Sequence, residues 1–167
     1  LNRPVVWGYT EEDENHISFT TLTIEKKSVY GKVKNSITEF SFSNEIEKHG
    51  NVDFQVSKDK YGSQIFLTKL VPLEEGDNVF YVFETINNQI SNTYEVTIHR
   101  RVMYTVTFDT DGTTIIDPQS IEEDNMINEP NETPQKIGYT FTGWDFDFST
   151  PITENIIVRA CWKANTD

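Results

Sequence analysis

Apolar residues in this chain recur at a period of two and break off after a few positions, which leaves little room for any element but short strands. Val52-Asp-Phe54-Gln-Val56 alternates strictly, and Ile37-Thr-Glu-Phe40-Ser-Phe42 does so in part. Ile17-Ser-Phe19-Thr-Thr-Leu22-Thr-Ile24 is dense in β-branched and apolar residues, and Ile65-Phe66-Leu67 follows a Tyr61-Gly62-Ser63 turn. Asn78–Glu84 and Thr93–Ile98 flank an Asn87-Asn88 pair that reads as a hairpin turn. Gly, Asn, Asp and Ser punctuate these segments every ten residues or so, the spacing of an antiparallel β-sandwich of about seven strands. No window carries a capped 3.6-residue period; Ser43–Gly50 has room for one helical turn ended by Gly50.

After Arg101 the pattern restarts. Tyr104-Thr-Val106-Thr-Phe108 alternates, Asp109-Thr110-Asp111-Gly112-Thr113 makes a turn, and Ile115-Ile116 begins a second strand. Glu122–Thr133 is polar, with Pro130 and Pro134 forbidding a continuous helix there, and Gly138–Trp144 and Asn155–Trp162 close a small sheet of about four strands. Charge steps at the same place. Residues 1–101 carry 11 Lys/Arg and 15 Asp/Glu, whereas residues 102–167 carry 3 and 12. The expected organisation is a linker or edge strand over 1–15, a sandwich over 16–101 and a small β domain over 102–167. His99-Arg100-Arg101-Val102-Met103 has neither Gly nor Pro, so the junction is expected to be short and stiff.

A domain of about 60 residues buries only about 60% of its unfolded surface. Cys161 is the one cysteine, so no disulfide within the chain can compensate. Large rings are the remaining remedy. Tyr104, Phe108, Tyr139, Phe141, Trp144 and Trp162 are the expected core of the second domain, with Gly112, Gly138 and Gly143, and Gly76 in the first, at turns.

The formal charge of −13 disfavours nucleic acid and anionic membrane surfaces as partners, because both need a basic patch. No apolar run approaches the roughly 18–20 residues of a spanning helix. Leu1-Asn2-Arg3-Pro4 lacks the charged and apolar regions of a signal peptide, and a start at Leu suggests a piece of a longer chain.

Tyr104–Trp162 resembles the Listeria–Bacteroides repeat, also called the internalin B-repeat. The matching residues are Tyr104-Thr-Val-Thr-Phe108-Asp-Thr-Asp-Gly112-Thr, Pro130, Pro134, Lys136-Ile-Gly138-Tyr-Thr-Phe-Thr-Gly143-Trp144, Phe148-Ser-Thr-Pro151-Ile-Thr-Glu-Asn155-Ile and Ala160-Cys-Trp162. There are departures: the usual double glycine reads Gly112-Thr113, the glycine expected near the second turn is Asp124, and the terminal Tyr-Ala-Lys-Trp reads Arg159-Ala160-Cys161-Trp162. The resemblance implies a β-grasp-like, non-enzymatic module of secreted or wall-attached bacterial proteins, commonly beside leucine-rich repeats. A second resemblance, to bacterial cadherin-like sandwiches, rests on Leu70-Val-Pro-Leu73-Glu-Glu-Gly76-Asp77-Asn78-Val-Phe80 and Thr93-Tyr94-Glu-Val96-Thr-Ile98. No calcium ligands accompany it.

Chemistry-bearing patterns are sparse. Asp109-Thr-Asp111-Gly112 has the look of a calcium loop but lacks its further ligands, so a turn is the simpler reading. His16, His49 and His99 have no metal-site spacing. Asp145 and Asp147 share one side of an alternating segment without a nucleophile or histidine nearby. The expected function is therefore a non-catalytic extracellular spacer, adhesion or protein-interaction module, monomeric and free of cofactors, that meets a protein or glycan at the cell surface. The alternative is a carbohydrate-binding module, which requires two or more of Trp7, Tyr9, Tyr61, Tyr81 and Trp144 to be exposed and coplanar.

Overall fold

The computed structural model describes residues 6–7, 28–47 and 53–166. The chain divides between Arg101 and Val102 into two compact units. Its fold is mostly β, with several separate sheets and a single helical turn.

In the first unit, β1 (Val6–Trp7) precedes β2 (Ser28–Val33), β3 (Glu39–Ser41), α1 (Phe42–Glu45), β4 (Ile46–Glu47), β5 (Asp53–Ser57), β6 (Leu70–Pro72), β7 (Gly76–Ile86) and β8 (Gln89–Arg100). The main sheet has the order β2-β8-β7-β5, in which β2 runs parallel to β8 and the other pairs are antiparallel. Two smaller antiparallel pairs, β3–β6 and β1–β4, are the unit's other sheets among the described residues. Phe80, Val82, Tyr94, Val96 and Ile98 from the main sheet share one buried cluster with Phe40 and Val71 from the β3–β6 pair. Phe40, Phe42 and Phe80 join the two layers edge to face at 4.9 and 5.7 Å.

The β7–β8 hairpin turns at Asn87-Asn88, both left-handed (φ 51° and 63°), as a two-residue hairpin loop requires. The Gly76-Asp77-Asn78 motif is held by one side chain: Asn78 Oδ1 accepts from Glu74 N, and Nδ2 donates to the carbonyls of Glu74, Gly76 and Ile98. Tyr94 and Glu84 form a buried polar pair, the phenol donating to Glu84 Oε2 at 3.0 Å. Ser91 donates to the other carboxylate oxygen.

Some boundaries differ from the sequence expectation. The Ile17–Ile24 strand and most of the 1–15 segment lie outside the described residues. β2 was not expected, because its inward positions are Val29, Gly31 and Val33, and the glycine interrupts the apolar alternation. Ile65–Leu67 is not a strand: Ile65 makes an isolated bridge to Ser57, Phe66 turns toward the core and Leu67 is exposed. The helical turn lies at Phe42–Glu45 and passes directly into β4; Gly50 is outside the described residues.

The second unit contains β9 (Met103–Asp109), β10 (Gln119–Glu122), β11 (Tyr139–Trp144) and β12 (Ile156–Ala164) in the order β10-β9-β12-β11. First and last strands lie parallel at the centre, with an antiparallel partner on each outer side. The second strand begins at Gln119 rather than at Ile115, which is fully exposed, while Ile116 packs on the core from the connecting loop. Val106, Phe108 and Val158 supply the sheet's half of the core, and Ile127 and Ile152 cover it from irregular segments. Those segments are tied together by Asp124 N to Ile152 O and Ile152 N to Asn125 O.

Each junction residue is anchored to its own unit. Arg101 donates to Val33 O and accepts from Asn35, while Val102 O accepts from Glu123 N.

The Tyr94–Glu84 pair yields a direct test. Burial, and then the adjacent Glu84 carboxylate, push the Tyr94 phenol well above its ordinary range. A phenol harder to ionise in the folded chain stabilises it fully below about pH 10, and that contribution falls away as pH rises further. Tyr94→Phe, which strips a donor from a buried carboxylate, should cost about 1–3 kcal/mol at pH 7 in urea unfolding and flatten the decline above pH 10.

Candidate functional site

The densest cluster of distinctive residues lies in the second unit, along β11, β12 and the loop after β9. Phe108, Trp144, Phe141 and Trp162 form a continuous edge-to-face row, with ring centroids 5.5, 5.3 and 5.7 Å apart. The pairing of Phe141 with Trp162 across β11–β12 sets the end of the row, and the Trp162 indole donates to Thr110 O at 2.9 Å. Of the six expected core residues, Phe108 is buried and Tyr104 and Trp144 pack on the buried cluster. Phe141 and Trp162 extend the row outside that cluster, half-buried. Tyr139 does not enter the core. It is 42% exposed, and Lys136 Nζ sits 4.5 Å from its ring. The fully buried residues are mostly aliphatic, because the two irregular segments deliver Ile127 and Ile152 to the sheet. Aromatic content signalled the row; nothing in the local pattern around Ile127 or Ile152 marked them as core.

The glycines serve different ends. Gly76, Gly138 and Gly143 adopt positive φ (88°, 83° and 138°), and the β11–β12 register shifts between Phe141 and Gly143. Gly112 is a case of close approach. A Cβ there would lie 2.2 Å from Gln135 O, and the left-handed residue of that turn is Asp111 (φ 49°). Gln135 O accepts the Thr113 amide, and Lys136 Nζ meets Asp111 Oδ2 at 2.8 Å, so the turn is stitched to the strand-entry loop from both sides.

The carboxylates here hold turns. Asp109 Oδ1 accepts from Asp111 N, Asp145 Oδ1 from Arg159 N, and Asp147 Oδ1 from both the amide and hydroxyl of Ser149. The Ser149 bonds hold the Asp147 carboxyl below its usual range, which makes it a poor general acid. Among the described residues no group of three or more His, Cys, Asp or Glu could hold a metal. His99 Nδ1 lies 2.6 Å from Asp77 Oδ1; His16 and His49 are outside the described residues. Cys161 is exposed.

The rings required for a sugar platform do not assemble among the described residues. Tyr61 is exposed at a loop tip, Tyr81 is half-buried within β7, and Trp144 spends its surface on Phe108 and Phe141. Tyr9 and the side chain of Trp7 are not described.

A further ordered feature, not anticipated from sequence, is the 57–64 loop of the first unit. Asp59 accepts from the Ser57 and Ser63 hydroxyls and from the amides of Ser63 and Gln64. Ser63 first, then Ser57, lower its carboxyl to about 2. Ser-x-Asp-x₃-Ser was the available signal.

The arrangement is that of a small β module whose polar and aromatic side chains are committed to its own turns and core. Residues 104–160 match the family model of the Listeria-Bacteroides repeat domain. A putative membrane protein of Evansella cellulosilytica is 37% identical over 73 residues, covering 38% of this chain and 11% of that relative. No helix among the described residues is long and apolar enough to cross a membrane.

Two outcomes are expected. Gly112→Ala should destabilise the second unit by about 2 kcal/mol or more in thermal or urea unfolding, because backbone oxygen meets the added methyl. The Asp59 carboxyl is easier to ionise folded than unfolded, so its contribution is present above about pH 4 and lost as pH falls toward 2. Asp59→Asn should remove that part of the acid limb, read as the difference between wild-type and variant unfolding midpoints across that range.

Proposed function

We propose that this chain is a non-catalytic module of a bacterial cell-surface protein, acting as a spacer or protein-interaction unit outside the cell. The observation that carries the reading is the repeat match over residues 104–160, since such repeats are usual in surface proteins. The relative described as a putative membrane protein agrees with a surface setting, although this chain spans only 11% of its length. The 2-1-4-3 strand order, with first and last strands parallel at the centre, supports a β-grasp-like description of the second unit. The two-layer core and the parallel β2–β8 edge support a cadherin-like sandwich for the first.

The commitment of Asp109, Asp111, Asp145 and Asp147 to turns and ion pairs supports a non-enzymatic role, because a catalytic carboxylate must be available to substrate. A spacer works through geometry, and the hydrogen bonds that hold Arg101 and Val102 each within its own unit support that reading.

Antibodies raised against this chain should label intact cells of the source bacterium, and brief protease treatment of those cells should remove the signal. Labelling that requires permeabilised cells would refute the surface assignment.

A further inference from the structure

The main sheet of the first unit stops short on one side. β7 runs from Gly76 to Ile86 and pairs with β8 along its whole length, but β5 covers only Tyr81–Thr85 on the opposite edge. Among the described residues, Gly76–Phe80 therefore presents an unpaired strand edge of five residues, about 17 Å long. No strand among the described residues takes that place. β6 belongs to the other layer and contributes Pro72, which has no N–H to offer.

Beside this edge lies a groove of about 500 Å³. Ile65, Phe66, Val79 and Phe80 line it with apolar surface, and Val79 is 40% exposed. The 57–64 loop forms one end and is fixed by Asp59, so that wall is built in advance. Two charges stand at the ends. Lys58 follows Ser57, the partner of Tyr81, and Glu74 precedes Gly76, so the cation marks the Phe80 end and the anion the Gly76 end. Neither side chain has an ion-pair partner among the described residues, whereas Asp77 is occupied by His99.

We propose that Gly76–Phe80 and its groove receive one extended peptide segment of a partner protein, added to the sheet as a fifth strand. An unpaired strand edge offers alternating N–H and C=O groups that an extended polypeptide satisfies in full, and a groove alongside reads every second side chain. The chemistry specifies the guest: apolar side chains facing Ile65 and Phe66, a basic residue at the Glu74 end and an acidic residue at the Lys58 end. Proteins usually blunt an edge of this kind with a charged side chain, a proline or a bulge on the strand itself. Gly76-Asp77-Asn78-Val79-Phe80 has no lysine or proline, and its one charge, Asp77, is engaged by His99.

The test is an NMR titration of the ¹⁵N-labelled full chain with two synthetic peptides, acetyl-Lys-Val-Thr-Val-Thr-Glu-amide and its reverse, acetyl-Glu-Thr-Val-Thr-Val-Lys-amide. The two orders cover parallel and antiparallel addition. At least one should give saturable shifts confined to Gly76–Phe80, Ile65, Phe66, Lys58 and Glu74. The same peptide with alternate amides N-methylated on its pairing edge should bind about tenfold more weakly, since it keeps the side chains and loses the ladder. Glu74→Lys should weaken the preferred peptide several-fold and restore binding to one whose terminal Lys is replaced by Glu. Absence of shifts at Gly76–Phe80 with both peptides up to about 5 mM would overturn the proposal. Equal binding of the N-methylated peptide would overturn it as well, because the groove would then be used without strand addition.

Discussion

The parallel pairing of β9 with β12 is the constraint on which the second unit is built. Parallel neighbours cannot be joined by a tight turn, so the chain must leave at one end of the sheet and cross back to the opposite end before β12 can begin. Here the excursion includes two outer strands and two irregular segments, and these segments lie over the buried face where a helix commonly sits. That choice explains the core. Ile127 and Ile152 are nearly inaccessible although neither belongs to a strand, and backbone bonds between Asp124–Asn125 and Ile152 hold the two covers together. The same constraint explains the turn chemistry. A cover without its own periodic hydrogen bonds must satisfy its backbone through side chains, which is how Thr114 and Gln119 accept the amides of Gln135 and Asn128, while Asn155 and Asp145 accept the strand amides of Thr105 and Arg159.

Sequence revealed the class of elements far better than the limits of each. Strict alternation at Val52–Val56 became β5, and the strand-like runs on either side of Asn87-Asn88 became the β7–β8 hairpin, because period-two burial and left-handed turn residues act locally. β2 escaped notice because Gly31 occupies an inward position, and its register is set by β8, more than sixty residues away. Ile115-Ile116 misled for the opposite reason: two adjacent apolar residues cannot both face one side of a strand, and only Ile116 reaches the core.

The departures from the repeat pattern are instructive in the same way. Asp124, which stands where a glycine is expected, adopts φ 69° and donates its amide to Ile152 O. Aspartate is among the few side chains that tolerate this conformation, so the turn survives the exchange. At Gly112 the requirement is a different one. The backbone of Gln135 leaves no space for a Cβ, while the positive φ falls on Asp111. A glycine read from sequence thus has two possible meanings, and only the packing around it separates them.

Tyr139 shows why the aromatic signature indicates setting better than chemistry. Gly138 and the Phe141–Gly143 irregularity bend the entry and exit of β11, and the ring at position 139 is turned out toward Lys136. The remaining rings pack on one another. Trp144 touches two neighbours edge to face, and Trp162 spends its one donor on Thr110. These contacts are spent within the unit, which accounts for the row as part of its packing. The irregularity between Phe141 and Gly143 also bends β11, an outer strand, and a bent edge is a poor template for another strand. Between Asp77 and Phe80 β7 keeps an unbroken register with β8, and its positive-φ residue, Gly76, stands at the strand's start, so this edge lacks the internal irregularity of β11.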